Sequence, residues 1–345
     1  MNLIVEPLYQ KLLEENLTAK RVPSWLLEWS GLEEILGEAW STAHRAKNED
    51  TTDEAAEKAY LHLVEHVDPL HQRTYQALTE KLLAVKYEPL PKHQQMMRRF
   101  RVNAELFREE NIAVQQEITK LTAQYDKLNG SLMVELDGQH ITVAEASGKL
   151  SEPDRTVRER AWRAIAKASS NIAKECDEIF LKLLTLRRQL AHNAGFADYR
   201  AYRWQELERF DYAPEDALEF VASIEKEVVP LVTKIWEKRK QKLSVDTLRP
   251  WDLEVDPDSR PALKPAKTTK ELEDGLERMF TNLDPALGQQ FASMRNGWLE
   301  LEPRPGKVAN VGYCSYFPLS KMPYIFYSLC GTYTDVWVLL HEMGH

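Results

Sequence analysis

With 345 residues and a mass of 40.0 kDa, the chain is longer than one small core requires, so we expect two globular parts. Hydrophobic residues make up 43% and charged residues 29%, which is typical of a soluble protein with a substantial interior. The net charge of −9 argues against nucleic acid or an anionic membrane as a partner, because either would require clustered Lys and Arg.

The sequence contains no targeting or membrane segment that we can recognise. No apolar run approaches the roughly 20 residues of a membrane helix, and the N-terminus lacks the layout of a secretory signal. Cys176, Cys314 and Cys330 have no paired spacing and are interpreted as buried thiols in a reducing compartment. We therefore expect a cytoplasmic protein.

Helical periodicity dominates residues 1–130, which we predict to be a helical N-terminal region. One apolar stripe in this region consists of Tyr60, Leu63, Val64 and Val67. The Asp68-Pro69 step is expected to bend or break the helix, because proline disfavours helical geometry at the preceding residue.

Residues 131–150 are predicted to form a hairpin and linker. Asp137-Gly138 divides two short β-prone runs, as a tight hairpin requires. Ser151 with Asp154 resembles a capping box that opens a long helix, and Asn193 or Gly195 can supply its left-handed stop.

Residues 151–345 are predicted to form the second, mainly helical part with a small β-sheet. A long helix is expected from Pro214 to about Leu243, and two shorter helices between Thr269 and Asn296. Four prolines in residues 248–267 predict a loop between the long helix and the two shorter ones. From Trp298 to Leu329 the β-branched and aromatic content predicts the sheet.

The last helix carries the strongest chemical signal, the segment LLHEMGH. With Thr334 as its cap, an apolar back is formed by Val336, Leu339, Leu340 and Met343. His341 and His345 lie on the front, about 6 Å apart along the axis, and Glu342 lies at the edge. Two such imidazoles can converge on one zinc ion, and a neighbouring carboxylate can take the proton of a metal-bound water.

Other chemical-looking patterns favour structural interpretations. HLVEH, with His62, Glu65 and His66, matches the inverted zinc-protease pattern, but charge-rich amphipathic helices often present such faces, so we favour a solvated surface. PRPGK lacks the other residues of a phosphate loop and is predicted to be a turn. The Trp251-Asp252 pair is expected to hold a loop against the core.

The segment LEPRPGKVANVGYCSYFPLSKMPYIFYSLCGTYTDVWVLLHEMGH, with LRPWD and LAHNAGFADYR earlier, resembles the oligoendopeptidase F branch of the thimet oligopeptidase family. The resemblance covers about residues 130 to 345. It implies a mostly helical, zincin-type catalytic domain, of which this chain contains the N-terminal part, in a cytoplasmic zinc metallopeptidase. Such an enzyme hydrolyses short oligopeptides.

By this resemblance, His341 and His345 match the first two zinc ligands and Glu342 matches the general base. The third ligand of the family is a glutamate on a later helix, and its residues that stabilise the transition state lie later still; none of these has a counterpart in this sequence. We therefore expect these 345 residues to bind zinc weakly and to cleave no peptide.

Two further questions stay open from the sequence. An extended strand beside the zinc helix could pair with substrate backbone, and this role is hypothesised for Met322, Pro323, Tyr324, Ile325, Phe326, Tyr327, Ser328 and Leu329. An interior strand that supports the helix is the alternative. For the whole chain, the alternative to an oligopeptidase is a non-catalytic helical interaction module without metal.

Overall fold

The computed structural model describes residues 2–345 and is mainly α-helical. In chain order, the helices of this part are α1 (Asn2–Glu14), α2 (Val22–Glu49), α3 (Glu54–His62), α4 (Asp68–Ala84), α5 (Gln94–Leu106), α6 (Glu109–Gly130), α7 (Val143–Gly148), α8 (Arg155–Asn171), α9 (Ala173–Asn193), α10 (Tyr199–Glu206), α11 (Pro214–Ser223), α12 (Val229–Lys242), α13 (Thr269–Leu283), α14 (Pro285–Met294) and α15 (Tyr333–Gly344). The strands are β1 (Met133–Leu136), β2 (Gln139–Thr142), β3 (Leu299–Glu300), β4 (Tyr313–Phe317) and β5 (Met322–Phe326). The predicted class, mainly α with a small sheet, is confirmed.

The chain divides into two compact units, each assembled from three separate segments. Unit 1 contains the residues up to 44 together with residues 54–125 and 177–221, and unit 2 contains residues 45–53, 126–176 and 222–345. The predicted division at residue 130 lies close to the unit boundary at residue 126. The predicted second part, 151–345, is not one unit, because residues 177–221 belong to unit 1.

Aromatic packing organises the core of unit 1. Trp29 lies edge-on to Trp25 and Tyr75 and stacks on Phe100, with ring centroids 5.0 to 5.3 Å apart. Of the predicted stripe, Leu63, Val64 and Val67 are buried and Tyr60 is half-buried. Burial of this large apolar area stabilises the helical packing of unit 1.

Proline produces a π-helical turn instead of the expected break. Residues Leu63–Val67 form a π-helical turn that ends two positions before Pro69, and α4 continues from it. The same arrangement occurs at Ile224–Val228 before Pro230, inside the predicted helix from Pro214. Proline lacks an N–H group and its ring clashes with the carbonyl four residues earlier, so a wider turn lets the helix pass through.

The hairpin prediction is confirmed, but the prediction of one long helix after it is not. Asp137 and Gly138 both adopt positive φ, 51° and 79°, as the tight turn between β1 and β2 requires. Asp154 caps α8 by accepting a hydrogen bond from Thr156, whereas Ser151 donates to a carbonyl and forms no capping box. The chain then breaks at Ile172 between α8 and α9.

A three-stranded sheet in the order β3-β5-β4 forms the centre of unit 2. β5 runs parallel to β3 and antiparallel to β4. Because side chains alternate along β5, Tyr324 and Phe326 pack with Phe317 on one face, and Ile325 packs with Leu339 of α15 on the other. The sheet therefore supports the helix that carries the HExxH sequence.

The proline-rich segment 248–267 is a loop, as predicted, and buried charges fix it to α8. Asp252 is completely buried and accepts hydrogen bonds from Arg155 and Arg158, while the Trp251 indole is also buried. The expected role of this pair in holding the loop is consistent with these contacts. No helix in the described part of the chain is long and apolar enough to cross a membrane.

Candidate metal centre and active site

A buried carboxylate fixes the start of α15. Asp335 accepts hydrogen bonds from the backbone N–H groups of Cys330, Gly331 and Thr332 at 2.8 to 3.0 Å, and from the Tyr327 hydroxyl at 3.3 Å. The N-cap is therefore Thr332, and the predicted cap Thr334 lies inside the first turn. These donors would otherwise lack partners at the helix end, so Asp335 determines where α15 begins.

The apolar back of α15 packs as the sequence predicts. Leu339 is only 1% exposed and lies in one cluster with Leu301 and Ile325. The other three residues of the predicted back, Val336, Leu340 and Met343, are half-buried against the same cluster. This packing fixes which face of the helix remains outside the core.

His341 and His345 lie on that outer face and are both exposed. Their ring centroids are 5.0 Å apart and the ring planes are nearly perpendicular, at 88°. Neither ring is wedged among aliphatic side chains, so the pair can offer two imidazole nitrogens to one ion. Within residues 2–345 no group of three or more metal-ligating side chains converges, so no third such side chain joins this pair in the part of the chain that the structure describes.

Glu342 is more deeply placed than the predicted edge position, with 7% of its surface exposed. It lies against Gly312, where an added Cβ atom would stand 3.8 Å from Glu342 Oε1 and 3.1 Å from Tyr327 Cδ2. Cys314 is also nearby, and burial together with the charge of Glu342 raises the pKa of its thiol. Gly312 leaves the space in front of the Glu342 carboxylate unfilled.

The backbone of β5 is not available for the strand addition hypothesised for Met322 to Leu329. β4 pairs with Met322–Phe326 on one side, and on the other Ile325, Tyr327 and Leu329 donate to carbonyls in residues 298–301. The side chains of Tyr324, Ile325 and Phe326 are completely buried. A central strand has no free edge for a peptide, so this hypothesis is corrected: the segment is an interior support for α15.

β4 is one of the two edge strands of this sheet. In the sheet order β3-β5-β4, this strand pairs with one other strand, β5. It begins directly after Gly312 and contains Cys314, which packs in the same cluster as Leu339 of α15. The open edge and Glu342 therefore lie on adjacent elements of unit 2.

A buried lysine that the sequence did not predict lies beneath the site. The Lys307 ammonium donates to Glu300 and to the backbone carbonyls of Glu302 and Tyr327 at 2.7 to 3.1 Å. Burial lowers the pKa of Lys307 to about 8, although Glu300 opposes the shift. PRPGK is a turn, as predicted. The only sequence signal that Lys307 would be buried was the nearby acidic Glu300.

The inverted motif shows the features of a solvated surface. His62, Glu65 and His66 are exposed, and Glu65 forms an ion pair with Lys120 at 2.9 Å. The two imidazoles approach each other, with ring centroids 4.8 Å apart, but no third ligand joins them among the described residues. An exposed carboxylate held by lysine is an ordinary surface pair.

Comparisons with known proteins identify the family of the chain. The sequence profile of Peptidase family M3 matches residues 149–345, which is more than half of the chain. No curated protein shows a significant sequence match.

The solved structures with similar folds include two close matches. A structure titled PZ peptidase A with inhibitor 2 matches 99% of this chain with a TM-score of 0.91 and 24% identity. One described as an oligoendopeptidase F from Bacillus anthracis also matches 99% of this chain, with a TM-score of 0.91 and 21% identity. Oligoendopeptidase F from Enterococcus faecium matches 86% of the chain with a TM-score of 0.56 and 15% identity. The chain spans 61 to 64% of the length of these proteins. At these identities the likeness shows the fold.

Proposed function

Because the chain belongs to Peptidase family M3, we propose that it is part of a zinc-dependent endopeptidase that hydrolyses short oligopeptides. The observation that carries the proposal is the exposed pair His341 and His345 on one face of α15, with Glu342 between them in sequence. This is the arrangement in which one helix supplies two ligands and a base.

The proposed roles follow from the position of each side chain. His341 and His345 would hold the ion, which would act as a Lewis acid and lower the pKa of a bound water toward about 7. Glu342 would accept a proton from the attacking water at its carboxylate and pass it to the departing amine. Gly312 keeps the approach to that carboxylate open.

The open edge of β4 is the proposed place for the substrate backbone. A peptide in extended conformation can add to this edge by main-chain hydrogen bonds, because the other edge of β4 is the one that pairs with β5. This role replaces the one that we hypothesised for β5. The strand begins beside Gly312, so a peptide there would pass the Glu342 carboxylate.

Two ligands do not make a preorganised zinc site. Since no third ligand converges among residues 2–345, we expect these 345 residues to bind zinc weakly and to cleave no peptide. A chelator-sensitive cleavage of short peptides by this chain would contradict that part of the proposal. We keep a cytoplasmic location as a prediction.

Zinc titration against a chromogenic chelator tests the proposal. His341→Ala is expected to weaken zinc binding at least about tenfold, because loss of a ligand should cost no less than loss of a residue that orients one. His62→Ala is the matched control, since it removes an exposed imidazole from another exposed i, i+4 histidine pair. Equal zinc affinity of the two variants would favour the alternative, a non-catalytic helical interaction module.

A further inference from the structure

A cavity of about 300 Å³ lies in unit 2 beside Gly312. Its walls come from residues 130 and 132, from residues 142–144 and 147, from parts of the loop 303–312 and from residues 327, 328 and 330, and we call it the Gly312 pocket. Its volume is at the lower end of the range that ligand pockets occupy, so it suits one amino-acid residue and not a long peptide.

The charge of the lining differs from that of the whole chain. Among the described residues that line the Gly312 pocket, Arg304 and Lys307 are basic and none is acidic. The chain itself carries a net charge of −9. A positive lining in an acidic protein favours a negatively charged ligand group.

Carboxylates behind the lining offset part of its positive charge, because Asp50 interacts electrostatically with Arg304 and Glu49 with Lys307, in addition to Glu300. Arg304 and Lys307 share one carboxylate, that of Glu300, so the three side chains together carry one positive charge. Lys307 is only 1% exposed and its ammonium is surrounded by acceptors, so it contributes its electric field and not a direct contact.

Arg304 is the residue that can contact a ligand. Its side chain is 38% exposed, and the structure shows it donating to the Glu300 carboxylate and to the Glu49 carbonyl. A guanidinium has five N–H donors in a fixed plane, so donors remain for a carboxylate. Asn310, at the same rim, is exposed and adds an amide.

Gly312 connects the Gly312 pocket to the proposed active site. It lines the pocket, precedes β4 directly and lies against Glu342, since an added Cβ would be 3.8 Å from Glu342 Oε1. Tyr327 also lines the pocket and contacts Gly312. A peptide on the edge of β4 could therefore place one residue in the pocket.

We propose that the Gly312 pocket is a specificity subsite that binds a carboxylate of the peptide substrate through Arg304. This inference rests on the proposed function. The carboxylate can belong to an acidic side chain or to the C-terminus of the peptide, and the two sources share the same recognition by a guanidinium.

The test measures peptide binding to this chain by NMR, without zinc and without hydrolysis. The methyl groups of Leu132, Val143, Ala309 and Val311 line the pocket and report its occupation, whereas Leu78 in the core of unit 1 serves as a reference. Three tetrapeptides are compared: acetyl-Gly-Gly-Glu-Gly-amide, its Gln analogue, and acetyl-Gly-Gly-Gly-Gly with a free C-terminus. The expected result is that at least one carboxylate-bearing peptide shifts the pocket methyls and binds about tenfold more tightly than the neutral Gln analogue.

Three variants separate recognition from loss of structure. Arg304→Gln should remove the preference for the carboxylate, and Arg260→Gln, which changes a 70% exposed arginine of the same unit, should retain it. Asn310→Asp introduces a negative charge at the rim but leaves the Arg304 ion pair intact. Asn310 has a φ of 60°, which aspartate tolerates, so this variant should fold normally and still lose the preference.

The outcomes are distinct from those of the zinc titration. Shifts of the pocket methyls with the Glu peptide alone identify an acidic side chain as the ligand group, and shifts with the free acid alone identify the C-terminus. The proposal is overturned if the neutral peptide shifts these methyls equally, if no peptide shifts them, or if the preference for the carboxylate survives in Arg304→Gln. None of these results depends on whether His341 and His345 bind zinc.

Discussion

Gly312 faces Glu342 and Tyr327: a Cβ atom on Gly312 would lie 3.8 Å from Glu342 Oε1 and 3.1 Å from Tyr327 Cδ2. The first distance is an ordinary van der Waals contact and the second is tight. The absence of a side chain at position 312 therefore lets the Tyr327 ring pack closely there, beside the buried Glu342 carboxylate.

Replacement of Gly312 by alanine should destabilise the fold. Tyr327 must move by a few tenths of an ångström, and its hydroxyl is held by Asp335, so we expect a loss of about 1 kcal/mol in the free energy of unfolding. Gly275→Ala is the control, and it should stabilise the fold by about 0.5–1 kcal/mol. Gly275 lies inside α13, and the atom nearest to an added Cβ would be 3.9 Å away. Urea unfolding of both variants measures the difference. Equal effects would show that Tyr327 yields freely.

Asp335→Ala should weaken zinc binding although residue 335 touches no metal. Loss of the carboxylate leaves three backbone donors and the Tyr327 hydroxyl without this acceptor, which should cost about 2–4 kcal/mol. The start of α15 then frays, and zinc affinity should fall roughly tenfold, as it does when a residue that orients a ligand is lost.

The control for Asp335 is another helix cap in the same unit. Thr268 caps α13 by accepting a hydrogen bond from the Glu271 N–H at 3.1 Å. Thr268→Ala should cost about 1 kcal/mol and leave the zinc affinity unchanged. If both variants bind zinc as the unmodified chain does, Asp335 does not position the ligands.

Lys307 should make the fold more stable as the pH rises above 8. Burial lowers the pKa of Lys307 to about 8 from the ordinary value of 10.5. Between these two values the unfolded chain binds a proton that the folded chain has lost, so raising the pH favours the folded state. Below pH 8 both states are protonated, and the cost of the buried charge is fully present.

Urea unfolding between pH 7 and pH 10 measures this effect. The free energy of unfolding of the unmodified chain should rise by about 2 kcal/mol relative to that of Lys307→Met over this range. Lys270→Met is the control, because Lys270 is 78% exposed in a surface ion pair. The difference in free energy of unfolding between this variant and the unmodified chain should not change with pH. A flat difference for Lys307→Met would mean that the ammonium keeps its proton through pH 10.

Asp252 should be among the most sensitive positions for stability. Its carboxylate is completely buried between Arg155 and Arg158, and Arg158 is itself only 3% exposed, so Asp252→Ala leaves a buried charge without its partner. The expected cost is about 3–5 kcal/mol. Asp258→Ala removes an exposed partner of Lys242 and should cost less than about 1 kcal/mol. Similar thermal shifts for the two variants would contradict this difference.

Local chemistry made part of the fold predictable from the sequence. Asp137-Gly138 indicated the hairpin because few other pairs adopt two successive positive φ angles, and the spacing of Leu339 and its neighbours indicated the buried back of α15. Thr332 and Thr334 can both cap a helix; Asp335, three positions after Thr332, completes a capping box with Thr332 and so decides between them.

Features that depend on distant parts of the chain could not be predicted. The order β3-β5-β4 puts β5 in the centre and β4 at the edge, and no property of residues 322–329 alone determines that order. The burial of Lys307 likewise depends on carbonyls contributed by Glu302 and Tyr327. Periodicity and turn signals describe neighbours along the chain, whereas these contacts arise only on folding.

X-ray absorption spectroscopy of the zinc-loaded chain tests the central claim most directly. The predicted spectrum shows two imidazole nitrogens at about 2.0–2.1 Å, and the variant His341→Ala/His345→Ala loses both, whereas His62→Ala/His66→Ala keeps them. A spectrum without imidazole ligands, or one that the loss of His341 and His345 leaves unchanged, would contradict the assignment of α15 as the zinc helix.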